Sequence, residues 1–290
     1  MPPKVSIVIT CYNYGKYISQ CLRSVLDQTF TDFEAIIIND GSTDDSEEKI
    51  RPFLKEKCFK YIWQENSGQA RAKNRGIMEA SGAFVAFLDA DDYWEPTKLE
   101  KQLPLFNDER VGVVYSRARY IDAEGNDLRK EIEEFGRYLA PKAGNVVEDL
   151  LFDNFVPFSS SVVRRDLLGN GFDERLKMAI DWKLWLYLSV NWRFAYVDEK
   201  LLNYRLGHSG QMSKNAEERF RCTDMIMEEF LGQYSKMINK KILRKAIADR
   251  FYLRWEYFRH SKPKVAKRYL IKAMKEQLDW MRIIKGFYNF

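Results

Sequence analysis

The sequence has little of what several common protein classes require. Its four cysteines, Cys11, Cys21, Cys58 and Cys222, are scattered and none forms a CxxC pair. Neither a zinc site nor a disulfide framework is indicated, and free, mostly buried thiols are expected. No stretch approaches the ~20 apolar residues of a membrane-spanning helix, and Met1-Pro2-Pro3-Lys4 runs into a strand-like segment without a signal peptide's apolar region. The expectation is a cytoplasmic protein. There is no internal repeat and no low-complexity linker. The first strand-to-helix turn lacks G-x-G-x-x-G, which argues against a dinucleotide site.

What is present is enough for a substantial core: 290 residues, 46% hydrophobic and 14% aromatic. The net charge of +5 hides an asymmetry. From Lys236 onward, 16 Lys and Arg stand against 4 Asp and Glu, so this stretch carries +12 and everything before it −7.

Val5 to Ile9, Ala35 to Ile38 and Phe84 to Leu88 are continuous apolar runs, the pattern of strands buried on both faces of a parallel sheet. Helical spacing falls between them: Ile18, Cys21, Leu22 and Val25 recur at i, i+3, i+4 and i+7, and Ile50, Phe53 and Leu54 follow a Ser42-Thr43-Asp44 start signal. Strand alternating with helix predicts an open α/β sheet. Later, Glu124-Gly125-Asn126 reads as a turn and Ser159 to Val163 as a strand. Asp181 opens a helix with Leu184, Trp185 and Leu188 inward. The chain from Ala216 onward reads as basic, aromatic helices broken at Pro263. The expected organisation is 1–110 as a nucleotide-binding half, 111–215 as an acceptor-binding half of the same domain, and 216–290 as a helical extension.

In such sheets ligands bind beyond the carboxyl ends of the strands. Those ends read Thr10-Cys11-Tyr12-Asn13, Asn39-Asp40-Gly41-Ser42 and Asp89-Ala90-Asp91-Asp92. Asp89 and Asp91, two apart on a strand end, can aim their carboxylates the same way. Mg²⁺ or Mn²⁺, which takes one or two protein carboxylates plus substrate phosphates, suits that pair; an exposed acidic turn with Asp92 as a helix cap is the alternative. The segment Asn66 to Gly76 combines a turn, a small-residue helix start and three cations, a setting that favours anions and is equally compatible with a solvated helix face.

The ordered set resembles family 2 glycosyltransferases with a GT-A fold. The residues that carry the resemblance are Val5 to Asn13, Leu22 to Thr29, Ile38 to Asp44, Asn66 to Gly76 and Phe87 to Asp92. It implies a Rossmann-like, mostly parallel mixed sheet flanked by helices, and an inverting transfer of sugar from a nucleotide diphosphate donor to an acceptor hydroxyl. Thr10, Tyr12 and Asn13 would line the nucleotide, and the Asp40 carboxylate would bond the base, favouring uracil or thymine. Asn66 and Arg71 would lie near base or phosphates. Asp89 would touch ribose or donor sugar, and Asp91 would ligate Mn²⁺ or Mg²⁺.

Downstream, Met178 to Leu186 is similar to the family's acidic motif before a helix, whose Asp is the catalytic base; that makes Asp181 the candidate. Ile180 stands where the family has Glu, so Asp173 and Glu174 remain alternatives. His208, in Tyr204 to Ser213, matches a segment that closes over the donor and reaches the metal or diphosphate; His260 has no assigned role. The implied partners are a nucleotide-diphospho-sugar and a saccharide or lipid-linked saccharide, with no nucleic acid. The C-terminal basic helices would offer peripheral membrane contact, on the inner face. Two rival readings stand beside this one. The first is an aspartate-dependent phosphohydrolase using Asp89-Ala90-Asp91, which leaves Asp40 and Asn66 to Gly76 unused. The second is a nucleotide-sugar or membrane-binding module without turnover.

Overall fold

The computed structural model describes residues 2–128, 140–169, 171–207 and 215–276. The chain divides into two compact units, Met1–Val146 with Asn154–Cys222 and Val147–Asp153 with Thr223–Phe290.

The first unit is built on a mixed eight-stranded sheet in the order β3-β2-β1-β4-β7-β6-β8-β5. The strands are β1 (Val5–Cys11), β2 (Phe33–Asp40), β3 (Phe59–Gln64), β4 (Phe84–Asp89), β5 (Tyr93–Trp94), β6 (Val111–Ile121), β7 (Val162–Arg164) and β8 (Arg193–Arg205). β1 to β4 run parallel to one another, β7 is antiparallel to both β4 and β6, and β6 is parallel to β8. The parallel strands are the continuous apolar runs: Val5, Ile7, Ile9, Ala35 to Ile38 and Val85 to Leu88 are all buried. Because β1, β2 and β4 point the same way, their polar C-terminal residues gather along one edge.

Helices α1 (Gly15–Leu26), α2 (Ser46–Ile50), α3 (Gln69–Glu79) and α4 (Lys98–Gln102) supply the connections among β1 to β6. α1 buries Ile18, Cys21, Leu22 and Val25, the stripe expected from its spacing. α2 ends at Ile50 and continues as a tighter turn from Arg51 to Lys55, because Pro52 cannot supply an amide. Gly76 lets α3 lie on β1: a Cβ there would stand 2.3 Å from a Val8 methyl. Cys11, Cys21 and Cys222 are buried, Cys58 is half-buried, and all four are free.

The structure corrects three local expectations. Phe158–Ser160 is a 3₁₀ turn and only Val162–Arg164 is strand, held there by Ser161 Oγ donating to the Phe158 carbonyl at 2.7 Å. Asp92 does not cap a helix; α4 begins at Lys98 with Thr97 before it. In α6 (Ile180–Ser189) Trp185 and Leu188 face inward but Leu184 is only half-buried, and the preceding cap is Ala179 with φ 58°. The turn at Gly125 is as expected, its amide donating to the Asp122 carbonyl at 3.1 Å.

The second unit holds α5 (Val147–Leu150), most of α7 (Ala216–Tyr234), α8 (Lys240–Phe258) and α9 (Pro263–Glu276). Asn239 caps α8 by accepting from the Lys241 amide at 2.9 Å. α8 and α9 meet through Phe258 and Phe251 on Tyr269, ring centroids 6.0 and 6.3 Å apart, and Pro263 starts α9 where the break was expected. No described helix is long and apolar enough to cross a membrane.

Candidate active site

The edge where β1, β2 and β4 end is organised by loop-to-loop hydrogen bonds. Asn13, at φ 58°, accepts from the Thr43 amide at 2.7 Å through Oδ1, while its own amide donates to Ser42 Oγ at 3.0 Å. Asp44 accepts from the Gly15 amide at 2.9 Å and Ser46 Oγ from the Tyr14 amide at 3.0 Å. The β1 and β2 loops are thus stitched together, with Tyr12 left 46% exposed at the rim, a flat apolar ring offered to the edge where a base can stack.

Asp40 lies 4% exposed and organises the next loop. Its Oδ1 accepts from Gln64 Nε2 at 2.7 Å and from the Ser67 amide and hydroxyl at 3.0 and 3.1 Å; its Oδ2 accepts from the Gly68 amide at 3.0 Å. The carboxylate therefore holds the start of α3, where negative charge also suits the helix N-terminus. Gly41, at φ 74°, permits this closeness, since a Cβ would meet the Asn66 backbone nitrogen at 2.6 Å. Asn66 itself is exposed.

Arg71 and Lys73 part company. Arg71 is exposed and its Nε donates to Glu174 at 2.9 Å. Lys73, two residues on and so turned to the opposite side of α3, is 4% exposed. Its ammonium donates to Asp89 Oδ1 at 2.5 Å and to Thr10 Oγ1 at 3.1 Å, and lies 4.7 Å from the Phe158 ring centre. Thr10 Oγ1 in turn donates to Asp89 Oδ1 at 3.1 Å, and the Asp89 amide to Ser159 Oγ at 3.1 Å. Lys73 is a site residue that the sequence reading passed over. The signal was there in Ala70, Lys73 and Gly76, which share the buried i, i+3, i+6 face of α3.

Asp91 and Asp92 divide the remaining work. Asp92 is buried, and its Oδ1 accepts from the Arg205 amide at 2.8 Å. Burial, then the Asp91 charge, pushes its carboxyl well above the usual range. Arg205, also missed from sequence, is 3% exposed at the end of β8. It donates through Nε to the Asp91 carbonyl at 2.9 Å and through Nη2 to Gln20 at 2.9 Å, with its guanidinium 4.5 Å from the Tyr17 ring centre. The backbone of the motif is pinned while the half-exposed Asp91 side chain stays at the edge.

Asp181 sits in the first turn of α6, where Asn154 Nδ2 donates to its Oδ2 at 2.7 Å. Burial raises its carboxyl above the ordinary aspartate value, against the lowering effects of the Trp182 amide, Asn154 and the Lys73 charge. The alternatives are occupied otherwise. Asp173 is held by Arg175 and Lys183, which keep its pKa low. Glu174 pairs with Asn74 and Arg71. Together with Asn74 bonding the Phe172 backbone at 2.7 Å and Gln69 the Lys177 carbonyl at 2.7 Å, these contacts tie the approach to Asp181 against α3.

The carboxylates share one field. Burial, then Asp92, Asp91, Asp89 and Asp181 in that order, raises the Tyr204 hydroxyl well above its usual value; burial followed by Asp91, Asp89 and Asp92 raises Tyr14. Asp181 and the strand-end motif therefore both act on Tyr204, and the Lys73 charge reaches Asp181. With Asp89 paired to Lys73 and Asp92 buried, the half-exposed Asp91 carboxylate is the group of this motif that a divalent cation could meet. Among the described residues no trio of His, Cys, Asp or Glu is arranged to hold a metal on its own; a cation here would take one or two protein carboxylates and fill its shell with phosphate and water. His208, the other expected metal ligand, lies outside the described residues.

Comparison with known proteins gives a consistent picture. The model of glycosyl transferase family 2 matches residues 6–172. An uncharacterized glycosyltransferase of Nostoc is 31% identical over 283 residues, covering 89% of this chain and 84% of the relative. The Bacillus subtilis protein TuaG, a putative teichuronic acid biosynthesis glycosyltransferase, is 31% identical over 207 residues, covering 70% of this chain and 79% of the relative. Two Rickettsia glycosyltransferases are longer, and the chain spans 29% and 33% of their length. Residues 1–349 of Staphylococcus aureus TarS in complex with UDP-GlcNAc superpose with a TM-score of 0.70 at 21% identity, covering 93% of this chain and 79% of that one. The Pyrobaculum calidifontis mannosyltransferase PcManGT, in complex with GDP-Man and Mn²⁺, superposes with a TM-score of 0.59 at 17% identity, covering 96% and 88%. At such identities the structural likeness shows the fold, which is GT-A.

Proposed function

The chain belongs to glycosyltransferase family 2, and from that premise we propose that it moves a sugar from a UDP- or dTDP-linked donor to an acceptor hydroxyl, with inversion, in the cytoplasmic assembly of a polysaccharide or glycolipid. The observation that carries this reading is the strand-end Asp89-Ala90-Asp91-Asp92 motif held in place at the sheet edge, with Lys73 and Thr10 on Asp89 and Arg205 on the Asp91 backbone. The likeness to TuaG supports the polysaccharide setting, and the TarS complex with UDP-GlcNAc supports a uridine nucleotide.

Each residue then has a task. Thr10, Tyr12 and Asn13 line the nucleotide at the end of β1, with Asn66 and Arg71 on the α3 side. Asp40 holds the loop that frames the base, and its Oδ2, bonded to a single amide, keeps acceptor capacity for a pyrimidine N–H. Lys73 fixes Asp89 toward the ribose or donor sugar. Asp91, with His208, would hold Mn²⁺ or Mg²⁺. When bound, that ion supplies Lewis-acid stabilisation of the charge that develops on the departing diphosphate.

Asp181 accepts the acceptor hydroxyl's proton at its carboxylate as that oxygen attacks the anomeric carbon from the face opposite the leaving group. Its raised pKa suits the role, because a carboxylate with greater proton affinity is a stronger base. The oxocarbenium-like transition state is the one familiar from glycoside hydrolysis, with a hydroxyl in place of water. The phosphohydrolase alternative falls with the family assignment.

The test is a panel of nucleotide sugars incubated with simple saccharide acceptors and Mn²⁺, with the product's anomeric configuration read by proton NMR. A product of opposite configuration to the α- or β-linked donor supports the mechanism. Retention of configuration would refute the single-displacement role of Asp181.

A further inference from the structure

We propose that the outer face of α9 docks on the surface of a bilayer that contains anionic lipid. The helix is sharply two-sided. Ala266, Leu270 and Ala273, at i, i+4 and i+7, are buried. On the opposite side Lys264, Arg268, Ile271 and Lys275 fall at i, i+4, i+7 and i+11, one stripe along the axis, flanked by Lys267 and Lys272; all six are exposed. The helix's sole acidic residue, Glu276, lies off this stripe and is half-buried. The other described carboxylates of the second unit lie on or beside other helices: Glu148, Asp149 and Asp153 at α5, Asp224, Glu228 and Glu229 on α7, and Asp249 and Glu256 on α8.

Charge alone would fit a bilayer, a nucleic acid or plain solvent. The apolar residues within the cationic face decide among them. Ile271 is 44% exposed in the middle of the stripe and Val265, beside it, 36% exposed. A phosphodiester backbone would leave both in water, whereas a lipid headgroup layer gives the cations anionic partners and lets the aliphatic groups enter the acyl boundary.

The experiment is sedimentation of the full chain with vesicles of phosphatidylcholine alone or with 30% phosphatidylglycerol, about 0.1 M salt, no donor present. Binding is expected only to the anionic vesicles and should weaken as salt rises. A variant carrying Lys264→Gln, Arg268→Gln and Lys275→Gln should bind about a hundredfold more weakly, at about fivefold for each cation removed. Its circular dichroism and melting temperature should match the wild type, since these residues lie on the exposed face. A second variant with the same loss of charge, Lys49→Gln, Lys55→Gln and Lys57→Gln, should bind as the wild type does. Absence of vesicle binding, equal loss in both variants, or retention by duplex DNA without vesicle binding overturns the proposal. Vesicle binding is read without turnover, so these outcomes leave the transferase reading untouched.

Discussion

Replacing Lys73 with Met is the perturbation whose consequences can be worked furthest. Methionine keeps the unbranched length that packs near Phe158 but deletes the charge and two hydrogen bonds, leaving Asp89 Oδ1 with Thr10 alone. Breaking a buried charge pair by removing one partner costs ~3–5 kcal/mol because the other charge stays buried. Here the Asp89 side chain is 32% exposed and the Lys73 side chain 5%, so water can resolvate the carboxylate in part, and a charged hydrogen bond's ~1.5–3 kcal/mol is the better guide. For a unit of this size that is a fall in Tm of about 5–10 °C. Differential scanning fluorimetry measures it, and a double-mutant cycle with Asp89→Asn isolates the pair. The double variant should lose less than the two singles together, with a coupling of about 2 kcal/mol. Single effects that add within about 0.5 kcal/mol, or a Lys73→Met protein as stable as wild type, would refute the pairing and with it the placement of Asp89.

Asp181→Asn should retain donor binding while turnover falls by about 10²–10⁴-fold. Because burial raises the Asp181 pKa, the acidic limb of kcat against pH should lie above the ordinary aspartate value of ~3.9, with activity rising as pH increases through it; the residual rate of the Asn variant should lack that limb. Lys98 is wholly buried, with its ammonium 3.9 Å from the Trp94 ring centre and no hydrogen-bond partner, and burial holds its pKa well below the usual lysine value. The unfolded chain therefore binds more protons there, so stability should climb with pH up to ~10.4. Lys98→Met should flatten that slope and raise Tm by a few degrees, about 2–4 °C per kcal/mol recovered, as read by thermal melts at several pH values. Gly76→Ala, whose added methyl would meet Val8 at 2.3 Å, should destabilise by about 1–3 kcal/mol in urea unfolding; an unchanged midpoint would contradict the α3–β1 packing.

The strands that carry the site were legible because burial on both faces imposes unbroken apolar runs: β1, β2 and β4 read directly from Val5, Ala35 and Phe84 onward. β3 and β8 were not. β3 is an edge strand in which Phe59 is buried while Lys60 and Trp63 are exposed, so its pattern is mixed. β8 runs for 13 residues through Asp198-Glu199-Lys200, a charged stretch that only pairing with β6 makes a strand. The site divides in the same way. Asp40, Asp89 and Asp181 stood out as candidates from their sequence motifs, but the side chains that hold them in place did not. Lys73 looks like one of three cations on a solvated helix until the packing of Gly76 on Val8 turns it inward. Arg205 meets the Asp91 backbone only because β8 crosses back, 114 positions later in the chain.

The central claim is a donor site completed by a cation at Asp91, and calorimetric titration of nucleoside diphosphates tests it most directly. With Mn²⁺ present, one nucleotide, UDP or dTDP, should bind to the wild type. EDTA should weaken that binding by tenfold or more, to about the level of Asp91→Ala, itself insensitive to EDTA. Binding of equal strength with Mn²⁺, with EDTA and in Asp91→Ala, or no nucleotide binding at all, would contradict the account.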